Sequence, residues 1–419
     1  MTNDNQHIPS GYKPSPLGPI PEDWEVKRLG EICTFLRNNT LSRNQLNETN
    51  GKVQNVHYGD ILVKYPSVLN ARAESIPYVN QEDYKDTLNE FIEDGDVIMA
   101  DTAEDETVGK ACEIINVDSK QILAGLHTML IRPQKGLFVS SFLGYHINSN
   151  SYRRQLNALI QGIKVCSLGK QVIANTFLLV PPLPEQQRIV SLLSLWDTAI
   201  AKQIALIEQL TLRKRGLMQQ LLTGKKRLKG FEGGTFHRLG NYISECNRKN
   251  NGCKRVLSVT NTRGFILQEE QFDKIVASND TSNYKVVRRG EFAYNPSRVN
   301  VGSLAMLNEY DEGILSPMYI VFKANENIDK SYLLQCLQSW WFRGHIPAYT
   351  QGSVRDSLSF DGLCSMKFYI PKLQEQKAIS AILERADKEI EIQKQKLAAM
   401  QEQKKGLMQV LLTGKRRIV

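Results

Sequence analysis

Apolar residues recur in alternating steps of four and three along two stretches of this chain. The first stretch reads Ile189, Leu193, Trp196, Ile200, Gln203, Ile207, Leu210, Lys214, Leu217 and Leu221. The second reads Ile379, Leu383, Ala386, Ile390, Gln393, Leu397, Met400, Lys404, Leu407 and Leu411. A mean step of 3.5 residues kept over about five heptads is the seam of a coiled coil, because a slightly under-wound helix keeps such a stripe facing its partner. Each pair of corresponding residues differs by 190 positions, and both seams are interrupted at the same places, by Gln203/Gln393 and Lys214/Lys404. Polar seam residues lower stability but fix register and orientation. Duplication inside one chain favours pairing of the two copies, and an approximate two-fold between them makes the helices antiparallel. A pair of helices in an ordinary bundle, or a coiled coil between two chains, is the rival reading. Prolines precede both helices and Gly224 or Gly414 follows them, as helix stop signals require. About 38 residues at ~1.5 Å each make a rod of ~57 Å.

The stretches between the helices have another pattern. Residues 20–180 and 232–370 carry short β-type runs broken by Gly, Asn and Asp, such as Asp60-Ile61-Leu62-Val63 and Lys285-Val286-Val287. Faint echoes join them. Arg28-Leu29-Gly30 matches Arg238-Leu239-Gly240, and Gly95-Asp96-Val97-Ile98 matches Gly290-Glu291-Phe292-Ala293. The predicted fold class is therefore α+β: two similar domains of mixed α/β fold separated by a long antiparallel helix pair. The expected divisions are an N-terminal extension (1–19), a first domain (20–180), a central helix with connector (181–231), a second domain (232–370) and a C-terminal helix (371–419).

Composition sharpens this only in places. A chain of 419 residues exceeds one core and predicts several domains. No apolar run approaches the ~18 residues that a membrane span needs, so no membrane role is expected. Seven cysteines without a C-x-x-C pair argue against a disulfide framework or a zinc site, which points to the cytoplasm. The net charge of +9 suits a polyanion, but it is unevenly spread. Residues 1–180 net −4, 181–231 net +6, 232–370 net +2 and 371–419 net +5. The excess sits on the repeated segments.

The residues of the repeat resemble the specificity subunit of type I restriction-modification enzymes across nearly the whole chain. The resemblance lies in Pro-x-Leu-x-Glu-Gln at Pro181 and Pro371, and in Leu-Leu-Thr-Gly-Lys at Leu221 and Leu411. It continues in Asp23-Trp24-Glu25-Val26-Lys27-Arg28-Leu29-Gly30, His57-Tyr58-Gly59-Asp60-Ile61, Ser258-Val259-Thr260 and Gly352-Ser353-Val354-Arg355. It implies two target-recognition domains, each reading one half of a split double-stranded DNA site, with the helix pair setting the gap. It also implies two docked methyltransferase subunits, to which two ATP-driven restriction/translocase subunits can be added. No cofactor is expected on this chain; S-adenosylmethionine, ATP and Mg belong to those partners.

Arg and Asn side chains can bond bidentately to guanine and adenine edges, which singles out candidates. In the first domain these are Arg37, Asn38, Asn39, Arg43, His57, Tyr58 and Lys64, with Tyr65 beside them. In the second they are Asn261, Thr262, Arg263, Tyr294, Asn295, Ser297, Arg298 and Asn300, the last two expected on one side of a β edge, and Arg355. A solvated loop is the bland alternative for Arg37–Arg43, and a packed strand end for His57 and Tyr58. Trp340-Trp341-Phe342 is read as core, and Asp101, Glu104, Asp105 and Glu106 as a solvated loop rather than a metal site. By the two-fold, Lys415–Arg417 should lie near Pro19–Trp24. No phosphate-binding G-x-x-x-x-G-K-[ST] or G-x-G-x-x-G loop occurs. The expectation is a non-catalytic chain. A coiled-coil adaptor with protein-binding ends, or a self-sufficient restriction enzyme, are the competing readings.

Overall fold

The computed structural model describes residues 8–80, 90–162, 165–271, 280–350 and 357–418. The chain divides into two compact units, residues 1–202 with 397–419, and residues 203–396. The division falls inside both long helices, Leu183–Leu221 and Leu373–Leu411, each of 39 residues.

In the first unit a five-stranded sheet has the order Cys33–Leu36, Thr128–Pro133, Val97–Ala100, Ala111–Ile115 and Val68–Asn70. All its pairings are antiparallel except that of Ala111–Ile115 with Val68–Asn70. Val97–Ala100 is apolar throughout because both faces of this central strand are covered. Val97 and Met99 point into a core with Leu29, Leu143 and Tyr152, while Ile98 and Ala100 point into another with Val56, Ile61 and Leu69. A four-stranded sheet, Gln121–Ala124, Val53–Val56, Tyr78–Val79 and Leu46–Asn47, lies beyond. The run Asp60–Val63, expected as β, is instead part of the helix Tyr58–Val63. His57 starts it by accepting the Gly59 amide through Nδ1 at 3.2 Å, a local cap that outweighs the β-branched propensity of Ile61 and Val63.

The second unit is built on an antiparallel sheet in the order Ile243–Glu245, Ile320–Ala324, Phe292–Tyr294 and Leu304–Met306. A hairpin of Leu257–Thr260 with Gly264–Leu267, a pair of Lys285–Arg288 with Glu312–Leu315 and a pair of Thr235–Arg238 with Lys367–Ile370 accompany it. The repeated Arg-Leu-Gly has the same job in each unit. Leu29 N donates to Thr176 O at 2.8 Å and Leu239 N to Met366 O at 2.9 Å, and both leucines are fully buried. A Cβ on Gly30 would meet Ala174 Cβ at 2.8 Å, and one on Gly240 would meet Cys364 Cβ at 3.0 Å, so only glycine lets the backbones approach.

The repeat motifs are explained by contacts within each unit. Gln186 Oε1 accepts Val139 N at 2.9 Å while its Nε2 donates to Pro181 O at 2.8 Å. Gln376 does likewise with Asp329 N and Pro371 O, both at 2.8 Å. The neighbouring glutamates are locked by the basic residues that follow the other helix. Glu375 accepts Arg227 at 2.5 and 3.3 Å; Glu185 accepts Arg417 at 2.6 and 3.2 Å and Trp24 Nε1 at 2.9 Å. Arg417 also holds Asp23 at 2.7 Å, so Lys415–Arg417 does lie beside Pro19–Trp24. Gly224 and Gly414 end their helices at φ +69° and +70°, where a side chain would be strained.

Along the seam, Ile189, Leu193, Ile379, Leu383 and Ile390 are buried, and Trp196, Ile200, Ile207, Leu210, Leu397, Met400 and Leu407 are half-buried. The helix segments are antiparallel within each unit: Gln203 pairs with Gln393 and Lys214 with Asp387 in one, Lys404 with Asp197 in the other. The polar interruptions thus find partners. Gln203 Nε2 donates to Gln393 Oε1 at 2.9 Å and Gln393 O at 3.1 Å. Changing Gln393 alone to Leu should cost the second unit about 1 kcal/mol, because the buried Gln203 would keep only its bond to the main-chain oxygen of residue 393. Changing both to Leu should recover most of that loss, as a double-mutant cycle in urea would measure.

One expectation is corrected. Helix Leu183–Leu221 contains an 18-residue window of mean hydropathy 1.3, long and apolar enough by composition to cross a membrane. Part of that character lies outside the seam, in exposed Leu195, Ile204, Leu206 and Leu212. A single such helix is weak grounds for a span, and this one carries Asp197 in its ion pair with Lys404.

Candidate nucleic-acid interface

The first unit brings most of its sequence-selected residues to one place, around Gly125. Asn39 N donates to Ala124 O at 2.9 Å, Asn38 Nδ2 to Gly125 O at 3.2 Å, and Gly125 N to Val56 O at 2.9 Å. A side chain at 125 would overlap the Asn55 amide and the Val56 carbonyl, so glycine is required for this crossing of segments. His57 and Tyr58 follow directly. Their rings lie 4.6 Å apart, and the Tyr58 ring meets His127 edge-on at 5.3 Å. Burial is the main cause holding the His57 pKa below its usual value, with Asp60 opposing and Arg43 and His127 assisting. A neutral ring agrees with Nδ1 accepting the Gly59 amide, which leaves Nε2–H as a donor.

Several of the expected cations are already engaged. Arg43 holds Asp60 at 2.6 Å and Glu48 at 2.9 Å. Lys64 donates to Ser75 O at 2.7 Å and lies 5.2 Å from the Tyr65 ring centroid, while Tyr65 itself is buried. Arg37 is exposed and has no ion pair among the described residues. Sequence reasoning passed over His127, which sits at φ 55° with Nδ1 3.7 Å from Asp101. Nothing in the sequence marks that left-handed turn. It also passed over Asn55, fully buried with neither amide atom paired among the described residues. From the acidic group, Asp101 thus faces His127, while Glu104, Asp105 and Glu106 are exposed. No group of metal-binding side chains occurs among the described residues.

In the second unit Asn261, Thr262 and Arg263 form the exposed turn of the hairpin, with Thr260 Oγ1 accepting Arg263 N at 3.0 Å. Tyr294 is fully buried and donates to Leu358 O at 3.1 Å, which removes it from the surface. Asn295 is buried too, its Oδ1 accepting Ser297 N at 3.1 Å, so its amide shapes the turn instead of facing outward. Arg298 and Asn300 are not on a β edge as expected. Arg298 precedes a 3-10 turn, Val299–Val301, because Val299 is drawn into the core and the chain must reverse at Gly302. Both Arg298 and Asn300 remain exposed. Arg355 lies outside the described residues.

The aromatic run divides. Phe342 is fully buried and Trp341 half-buried, but Trp340 is 68% exposed, contrary to a core role. Ser339 caps the helix Trp340–His345 through Phe342 N at 3.1 Å, which turns residue 340 outward under Arg215, 5.3 Å from its ring centroid. Trp340 and Phe236 line a cavity of about 830 Å³ against the long helix.

The surfaces differ while the frames agree. Arg37, Asn261, Arg298 and Asn300 are exposed, and such side chains have the chemistry to bond base edges. A family profile described as the type I restriction modification DNA specificity domain matches residues 21–212 and 240–402. The type I restriction enzyme MjaVIII specificity subunit of Methanocaldococcus jannaschii is 25% identical over 431 residues, covering 95% of this chain and 94% of that protein. Two solved structures share the fold. One, from work on complex assembly and conformational transition of the type I R-M system, has TM-score 0.59 at 17% identity, covering 95% of this chain and 99% of the other. The other, the type I restriction-modification S subunit from M. genitalium, has TM-score 0.50 at 13% identity, covering 93% and 96%.

Proposed function

This chain belongs to the type I restriction-modification DNA specificity family, and on that premise we propose that it gives such a complex its DNA address. Each unit reads one half of a split, asymmetric double-stranded site. The first does so through Asn38, Asn39, His57 and Tyr58, the second through Asn261, Arg298 and Asn300. The length of the paired helices sets the number of unread base pairs between them. The observation that carries this reading is the pairing of like frames with unlike surfaces. The Arg-Leu-Gly backbone bonds, the Gln186/Gln376 bonds and the Glu–Arg pairs recur in both units, while the exposed turns differ in sequence.

The chain supplies recognition. Two methyltransferase subunits bring S-adenosylmethionine chemistry, and two restriction/translocase subunits bring ATP and Mg, in the cytoplasm. Long-read detection of modified adenines in cells carrying the chain with its methyltransferase should return a two-part motif with an unspecified gap. In a gel shift, binding of that motif by the complex should fall steeply with salt, as phosphate neutralisation releases counterions. A continuous motif, or none that depends on this chain, sinks the reading.

A further inference from the structure

We propose that Arg343 is a base-reading residue of the second unit, selecting a guanine in its half-site; this rests on the DNA-address function above. Arg343 sits in a tryptophan-rich run that patterns as core, yet its side chain is exposed. The short helix that carries it is firmly seated. Phe342 is fully buried, Ser339 caps the helix, and Trp341 stacks on His345 at 4.2 Å and meets Phe368 edge-on at 5.1 Å. The seated helix fixes the point from which the guanidinium reaches, and the planar fork itself is pre-organised.

Its neighbours are the residues already selected on other grounds. Gly302 lies at φ +99°, and a Cβ built there would stand 3.4 Å from Arg343 Nη2 and 3.5 Å from Asn261 Cβ. Gly302 is thus the gap between Arg343 and the hairpin turn, and it directly follows the turn bearing Arg298 and Asn300. Asn261 and Arg343 meet at this glycine, and the turn that bears Arg298 and Asn300 leads into it. Arg43, Arg132, Arg227, Arg248, Arg289 and Arg417 all hold carboxylates, whereas Arg343 has no ion pair among the described residues. An exposed, seated and uncommitted arginine fork matches the O6 and N7 acceptors of guanine, which Arg bonds bidentately.

The test uses the complete complex of chain and methyltransferase on a library randomised in both half-sites, read out by which sequences become methylated. Arg343→Ala and Arg343→Lys should each relax one G·C position in one half-site about tenfold or more, the scale set by one lost bidentate pair, and leave the other half unchanged. Thermal unfolding of the variants guards against a folding defect. Three results overturn the proposal: Arg343→Ala with the motif of the natural chain, a uniform loss across all sequences as for a phosphate contact, or relaxation in both halves. If the natural chain itself returns no two-part motif, the failure belongs to the DNA-address function instead.

Discussion

Deleting Ile204–Leu210 and Lys394–Met400 together should narrow the gap between the half-sites by about three base pairs while both half-sites stay the same. One heptad from each helix removes ~10.5 Å of rise, against ~3.4 Å per base pair of duplex. Whole heptads are required, because any other number turns the seam away from its partner. The two deletions must also be made together. The pairs Lys214–Asp387 and Lys404–Asp197 lie on opposite sides of the deleted stretches, and removing equal lengths keeps both in register. Deleting from one helix alone shifts one pair against the other by seven residues and should unfold the seam. Modified-adenine sequencing of the double deletion gives the answer, and an unchanged gap rules out the helices as the ruler.

Arg227→Ala should clearly destabilise the second unit, because it leaves the buried Glu375 carboxylate without its cation. Glu375 is 1% exposed and its partner in the structure is the Arg227 guanidinium, whose pKa is raised chiefly by that hydrogen bond. The matching change in the first unit, Arg417→Ala, should cost less. Glu185 keeps its hydrogen bond from Trp24 Nε1, so one neutral donor remains when the cation is gone. Combining Arg227→Ala with Glu375→Gln should recover part of the loss, since a neutral amide is cheaper to bury than a bare charge. Urea unfolding followed by tryptophan fluorescence can separate the units, with Trp24 and Trp196 in one and Trp340 and Trp341 in the other. A larger loss for Arg417→Ala than for Arg227→Ala contradicts this ordering.

Legibility from the chain was high where residues act through periodicity and low where they act through turns. The 3.5-residue stripe needs nothing but the helix to define it, so its buried face could be read directly. The polar breaks at Gln203/Gln393 and Lys214/Lys404 were visible, but Asp197 and Asp387, which take up the lysines, lie outside the stripe and carried no signal. Asp60–Val63 patterned as a strand because propensity ignores the cap that His57 provides. Arg298 and Asn300 were placed on a strand edge because alternation ignores the pull of Val299 into the core. Arg343 was hidden by its own neighbours: two tryptophans and a phenylalanine read as buried, and only the direction set by the Ser339 cap frees its side chain.

The amino-acid sequence by itself determined the duplication, the two long helices, their antiparallel match and the mixed α+β frames, because all of these follow from spacing along one chain. Tertiary structure alone decided which Asn and Arg side chains meet around Gly125 and Gly302, and which cations are spent on carboxylates. The physical reason is that these contacts join segments tens to hundreds of residues apart through positive-φ turns and close backbone crossings. Local pattern carries no trace of such meetings; they exist only once the cores have closed.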